Sequence, residues 1–188
     1  MRPFVRTRLT PNHVTTLRLA TAIVAAIAFA LGTRDSLVLG GCFFVISAFL
    51  DRADGELARL SGKTSSAGHR YDLAADVASN VLNFGAIGVG LSHGALGSTA
   101  LGLGAIAAFA IGAIYWLVDQ LESIGESFGG TAGFDPDDAL FVVGPAAWFG
   151  ALKPLLYAAA ASASLFLIIA AWMYLKRRAA VGRNYTSR

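Results

Sequence analysis

The chain has 188 residues, of which 55% are hydrophobic and only 14% charged, and its mean hydropathy of +0.59 is higher than a water-soluble domain of this size needs. A net charge of +3 does not make it a nucleic-acid binder, because its Lys and Arg form no stripe with interleaved aromatics. The single cysteine, Cys42, excludes an internal disulfide and a zinc cluster; lying among apolar neighbours, it reads as packing.

Apolar runs cover residues 14–32, 36–50 with a polar continuation to 60, 73–92, 95–118, 139–152 and 154–175. A membrane span needs roughly 20 helical residues, which five of these runs meet or approach. The first helix opens at Leu9-Thr10-Pro11-Asn12, an N-cap followed by Pro at the first helical position, where free amides could hold phosphate. The run 139–152 is short, but Asp135 as N-cap, Pro136 behind it and Lys153-Pro154 at its far end mark it as a helix. The expectation is an all-α integral membrane protein of six transmembrane helices. Gly85, Gly88, Gly90, Gly94, Gly102 and Gly104 would allow close helix approach. Without repeats or low-complexity linkers, residues 1–188 read as one domain.

Arg2, Arg6, Arg8, Arg18, Arg52, Arg59, Lys63, Arg70, Lys176, Arg177, Arg178, Arg183 and Arg188 fall at one side of such a bundle, against Arg34 and Lys153 at the other. The positive-inside rule then puts both termini in the cytoplasm. No small-residue cleavage site follows the first apolar run, so the start does not read as a cleavable signal. Trp116, Trp148, Trp172 and Tyr174 near span ends read as interfacial anchors, Asn80 and Asn83 as interhelical hydrogen-bond formers, and Lys176-Arg177-Arg178 as a contact to anionic headgroups.

Against this background four aspartates, Asp51, Asp54, Asp72 and Asp76, arrive within 26 residues. Charge is expensive in a bilayer, so carboxylates at the ends of apolar spans mark a functional site by default. Asp51 and Asp54 are about one helical turn apart, and Asp72 and Asp76 form an i, i+4 pair on the next helix, so four carboxylates can converge between two helix ends. An oxygen-only set of this kind suits magnesium, manganese or calcium. Gly55 and Ala58 remove bulk on the carboxylate face, while Arg59, Lys63, Thr64, Ser65 and Ser66 offer donors for phosphate oxygens. The residues alone leave three readings open: solvated interfacial acids with local pairs such as Asp51–Arg52 or Asp54–Arg59, a proton or cation pathway, and a metal-dependent phosphate site.

Read as a pattern, Asp51-x-x-Asp54-Gly55-x-x-Ala58-Arg59, eight residues, Gly68, three residues, Asp72, three residues, Asp76 resembles the signature of the CDP-alcohol phosphotransferase (CDP-alcohol phosphatidyltransferase) family. The Pro-Asn-x-x-Thr opening, here Pro11-Asn12-His13-Val14-Thr15, is similar as well. The resemblance implies a homodimeric enzyme of the inner or plasma membrane with its site facing the cytoplasm. It would transfer a phosphatidyl group from a CDP-linked donor, most simply CDP-diacylglycerol, to a small polar alcohol, releasing CMP in phospholipid biosynthesis. It also implies two divalent ions, Mg or Mn, held by Asp51, Asp54, Asp72 and Asp76, with Asp76 as base. Asn12, Thr15, Gly55, Ala58, Arg59, Ser65 and Gly68 would contact the nucleotide and diphosphate.

The acceptor is less legible. Between Arg70 and Lys153 there is no Lys or Arg, whereas Asp119, Glu122, Glu126, Asp135, Asp137 and Asp138 gather around one loop. A phosphorylated acceptor would call for Arg partners there, which leans toward an amine-bearing or neutral alcohol, with an ordinary solvated acidic loop as the alternative reading and Arg18, Arg70 and the tail as cations that could still serve. His69 and Arg70 flank the site and could support acceptor binding; His13 and His93 carry less weight. A CDP-amino-alcohol or CDP-inositol type donor passed to a lipid or inositol phosphate hydroxyl is the alternative transfer. A cation transporter is the remote one, disfavoured because the acids gather at one end of the helices rather than near the midplane.

Overall fold

The computed structural model describes residues 10–62, 65–123 and 140–186, with side chains beyond 178 and at 122–123 left aside. They form six helices: α1 (Pro11–Leu31), α2 (Arg34–Ser61), α3 (Ser66–Ser92), α4 (Ser98–Ser123), α5 (Val143–Trp148) and α6 (Leu152–Thr186). Five of these, all but α5, are long and apolar enough to cross a bilayer.

The helices overrun the apolar text at one end. α2 continues to Ser61 through good helix formers, and Gly62 ends it in the left-handed conformation at φ 63°. α3 starts at Ser66, seven residues before its apolar run, because Ser65 caps it: its Oγ accepts from the Gly68 N–H at 3.0 Å. All four aspartates therefore sit on helices. Thr10 is the N-cap of α1 and Pro11 its first residue, as expected, and His13 completes a reciprocal capping box in which its Nδ1 accepts from the Thr10 N–H.

The expected span over 139–152 is a six-residue helix among the described residues, about 9 Å of rise and far short of a bilayer crossing. Its proposed cap at Asp135 and Pro136 lies outside the described residues. What stops α5 is visible. Gly150 is left-handed at φ 74°, its N–H donates to Ala147 O, and the Ala151 N–H donates to Ala146 O, the paired bonds of a Schellman ending. Arg34, at the start of α2, also donates to Ala147 O and Trp148 O, adding a side-chain partner to the last carbonyls of the helix.

α1 packs along α2 and α3, α3 along α4, α4 along α6 and α5 along α2. The core holds Phe29, Phe44, Phe84, Ile87, Val143, Leu152 and Leu156. Of the flagged glycines, Gly88 and Gly104 carry the α3–α4 crossing: a Cβ on Gly88 would lie 2.7 Å from Ala100 O and 2.8 Å from Gly104 Cα. Gly90 lets α3 reach the end of α1, since its Cβ would collide with Phe29 O. Among the described residues, a Cβ on Gly85 or Gly102 would meet nothing within 4 Å, so neither marks a close helix approach there. The asparagines behave as expected: Asn80 Nδ2 donates to Tyr115 OH on α4, and Asn83 Nδ2 to Ala22 O on α1. Cys42, read as packing, points outward instead; on a lipid-facing surface a small apolar side chain needs no cavity. The Trp116 ring meets Tyr174 across α4 and α6 at 6.3 Å, and Lys176 Nζ lies 5.0 Å above the Trp172 ring.

Candidate active site

The site forms where the N-terminal turns of α1 and α3 meet the C-terminal turns of α2. One carboxylate oxygen from each of Asp51, Asp72 and Asp76 comes within 4.8 Å of the others. The i, i+4 spacing on α3 and the neighbouring end of α2 bring these three together, as the spacing predicts. Asp54 does not join them. It is 3% exposed and turned toward α1, where the Thr15 hydroxyl, itself 2% exposed, donates to Asp54 Oδ2 at 2.9 Å.

Two cavities flank the carboxylates. The first, about 140 Å³, is lined by Pro11, Asn12, Thr15, Asp54, Gly55, Ala58, Ser65, Gly68, His69 and Asp72. Six of the seven residues expected to contact the nucleotide thus share one wall. The seventh, Arg59, is absent from it: its side chain is 76% exposed and Nη2 reaches Glu56 Oε2 at 3.2 Å, an ordinary i, i+3 surface pair. The missing side chains matter here. A Cβ on Gly55 would meet nothing within 4 Å, so its absence leaves an opening rather than a packed contact, whereas one on Gly68 would press on Ser65 Oγ at 3.1 Å and Asn12 Oδ1 at 3.3 Å. His69 lines the cavity. Lys63 and Thr64, expected as phosphate donors, lie outside the described residues.

The second cavity, about 40 Å³, lies deeper between the helices and includes Arg18, Ser47, Asp51, Asp76, Ser79, Asn80, Asn83 and Tyr115 in its walls. Asp72 faces the first cavity, Asp51 and Asp76 the second, so the carboxylate trio stands between them.

Sequence reasoning missed the part played by Arg18, which it counted only as a topology charge or an acceptor anchor. The side chain is 2% exposed, yet it contacts all three clustered carboxylates. Nη1 pairs with Asp51 Oδ1 and lies 3.0 Å from Asp76 Oδ1; Nη2 lies 3.2 Å from Asp72 Oδ1 and 3.0 Å from the Asp72 carbonyl oxygen. A signal was present: Arg18 sits inside the apolar run 14–32, and an ionised side chain within a span must find a partner of opposite charge. The local pair imagined between Asp54 and Arg59 gives way to these long-range ones.

The profile of the CDP-alcohol phosphatidyltransferase family matches residues 8–182, and the chain belongs to that family. It is accordingly a transferase of phospholipid biosynthesis and an integral membrane protein. Among solved structures it is similar to the apo form of a phosphatidylinositol phosphate synthase from Mycobacterium tuberculosis, with a TM-score of 0.69 and 22% identity over 91% of this chain and 93% of that one. At that identity the likeness establishes the fold. No curated protein matches the chain.

Proposed function

We propose that this enzyme transfers a phosphatidyl group from CDP-diacylglycerol to the hydroxyl of a small polar alcohol, releasing CMP. The observation that carries the reading is the meeting of the carboxylate trio with a cavity walled by Asn12, Thr15, Gly55, Ala58, Ser65 and Gly68. The trio offers oxygen ligands only, which fits two hard divalent ions, Mg or Mn. Asp51, Asp72 and Asp76 would hold them, with Asp54 completing the set once it leaves Thr15. Such ions would neutralise charge on the diphosphate and on the oxygen that departs with CMP as the acceptor hydroxyl attacks.

The chain's own residues supply the rest. Gly55 and Ala58 leave room for the cytidine and diphosphate against α2, and Asn12, Ser65 and the first-turn amides of α3 present donors to phosphate oxygens. Asp76 borders the deeper cavity and would take the acceptor's proton as the hydroxyl attacks. That cavity combines the hydroxyl and amide groups of Ser47, Ser79, Asn80, Asn83 and Tyr115 with Arg18, Arg52 and apolar side chains, a lining that suits a small polar alcohol. Arg18, Arg52, Arg59, Arg70, Lys176, Arg177 and Arg178 lie at the site end of the bundle, and Arg34 and Lys153 at the other; this asymmetry supports a cytoplasmic site and cytoplasmic termini. The homodimer and the single domain over 1–188 rest on the family resemblance.

The test is release of CMP by purified protein from radiolabelled CDP-diacylglycerol with Mn or Mg, against serine, inositol, inositol phosphate, glycerol phosphate and amino alcohols. Lipid product with one acceptor and dependence on the ion support the reading; folded protein that releases no CMP with any of them refutes it.

A further inference from the structure

The strongest unused feature of the molecule is the buried guanidinium of Arg18. An ion ligated jointly by Asp51, Asp72 and Asp76 must lie inside the triangle of oxygens that stand within 4.8 Å of one another. Arg18 already bridges the same three side chains through one oxygen of each: Nη1 contacts both Asp51 Oδ1 and Asp76 Oδ1, and Nη2 contacts Asp72 Oδ1. A divalent ion binds carboxylate oxygens at roughly 2.0–2.6 Å, so an ion held by all three side chains competes with the guanidinium for their lone pairs and for the space between them. The backbone aims the side chain there. Ser47 Oγ on α2 donates to the Arg18 carbonyl at 3.1 Å, which fixes the α1–α2 register at that residue.

We infer that Arg18 is a tethered internal cation that holds the three carboxylates together in the ion-free enzyme and must be displaced when the divalent ions load. The inference rests on the divalent-ion reading above. Four carboxylates close to apolar surroundings would repel one another or protonate without a counter-charge, and Arg18 supplies one at the cost of competing with the ions. Its hold is incomplete: among the described residues the buried Arg18 Nε has no hydrogen-bond partner, so the guanidinium gives up a partly satisfied position when it leaves. Arg18 is in this sense a positioning residue that lowers ion affinity while it preserves the shape of the empty site.

Full-length protein, stripped with EDTA and purified in detergent, is titrated with Mn while free Mn is followed by electron paramagnetic resonance; thermal unfolding is recorded with and without Mn. Arg18→Met is expected to unfold at lower temperature than wild type without Mn, yet to bind Mn about tenfold tighter or more, tenfold being about 1.4 kcal/mol and within reach of one charge-assisted bond. Arg18→Lys keeps the charge on a shorter, single-centred group that cannot span three carboxylates; it is expected to bind Mn about threefold tighter, and it decides the matter if Arg18→Met does not fold. A merely structural Arg18 would lower stability without raising affinity. Folded variants that bind Mn no tighter than wild type overturn this inference alone. Wild-type protein that binds no Mn overturns the ion reading and this inference with it.

Discussion

Thr15→Val is the most informative single change, because it removes one hydroxyl and almost no volume. In the structure that hydroxyl donates to Asp54 Oδ2 at 2.9 Å, and neither partner has access to water worth counting. A hydrogen bond to a charged group contributes about 1.5–3 kcal/mol, and losing it leaves the carboxylate buried and short of a donor. The Thr15 proton is shared with Pro11 O at 3.1 Å, which places the expected loss at the lower end, about 1.5–2 kcal/mol. For a chain of this size each kcal/mol corresponds to about 2–4 °C, so ion-free Thr15→Val should melt roughly 3–8 °C below wild type by scanning fluorimetry. Thr15→Ser should recover most of the difference. Saturating Mn should shrink it, because Asp54 would then be held by ions instead of Thr15. Equal melting of Val and wild type in EDTA would refute the reasoning, as would a Ser variant no better than Val.

Asp76→Asn should still bind Mn and donor, the ion more weakly through Asp51, Asp72, Asp54 and the remaining amide oxygen, while turnover falls about 100- to 10,000-fold, the range for losing a general base; retained turnover in a CMP-release assay at saturating Mn removes Asp76 from that role. Gly55→Leu should fold normally, since a Cβ there meets nothing within 4 Å, but should raise the donor KM by about tenfold or more by filling the larger cavity, equivalent to about 1.4 kcal/mol; an unchanged KM would place the donor elsewhere. Gly104→Val should cost about 1–3 kcal/mol through overpacking, because its Cβ would meet Gly88 Cα at 2.8 Å and Phe84 O at 3.1 Å. A melting temperature equal to wild type would mean that the α3–α4 crossing is looser than described.

Much of this protein is legible one residue at a time. Hydropathy marks the long helices because a bilayer requires every backbone polar group to be bonded within its own segment, and the run lengths follow from that alone. The N-cap and proline at Thr10-Pro11 act locally, so the start of α1 reads correctly. The aspartate spacing is a helical spacing, so the convergence of Asp51, Asp72 and Asp76 follows once two neighbouring helix ends are assumed.

What the linear pattern did not decide lies between elements. Nothing local separates Asp54 from its three companions: it turns away because Thr15, 39 positions earlier in the chain, stands opposite it on α1. Arg59 looks as suited to phosphate as any other residue of the signature, yet the helix carries its side chain outward to Glu56. The run 139–152 is apolar enough for a helix, but α5 ends at Trp148 because Gly150 takes the left-handed conformation and Arg34, more than 100 positions away, binds the last carbonyls. Arg18 is the clearest case. By itself the sequence determined that a charge inside an apolar helix needs a partner; only the packing of α1 against both α2 and α3 decided that its partners are three carboxylates at once, because electrostatic energy depends on distances in space that chain separation does not encode.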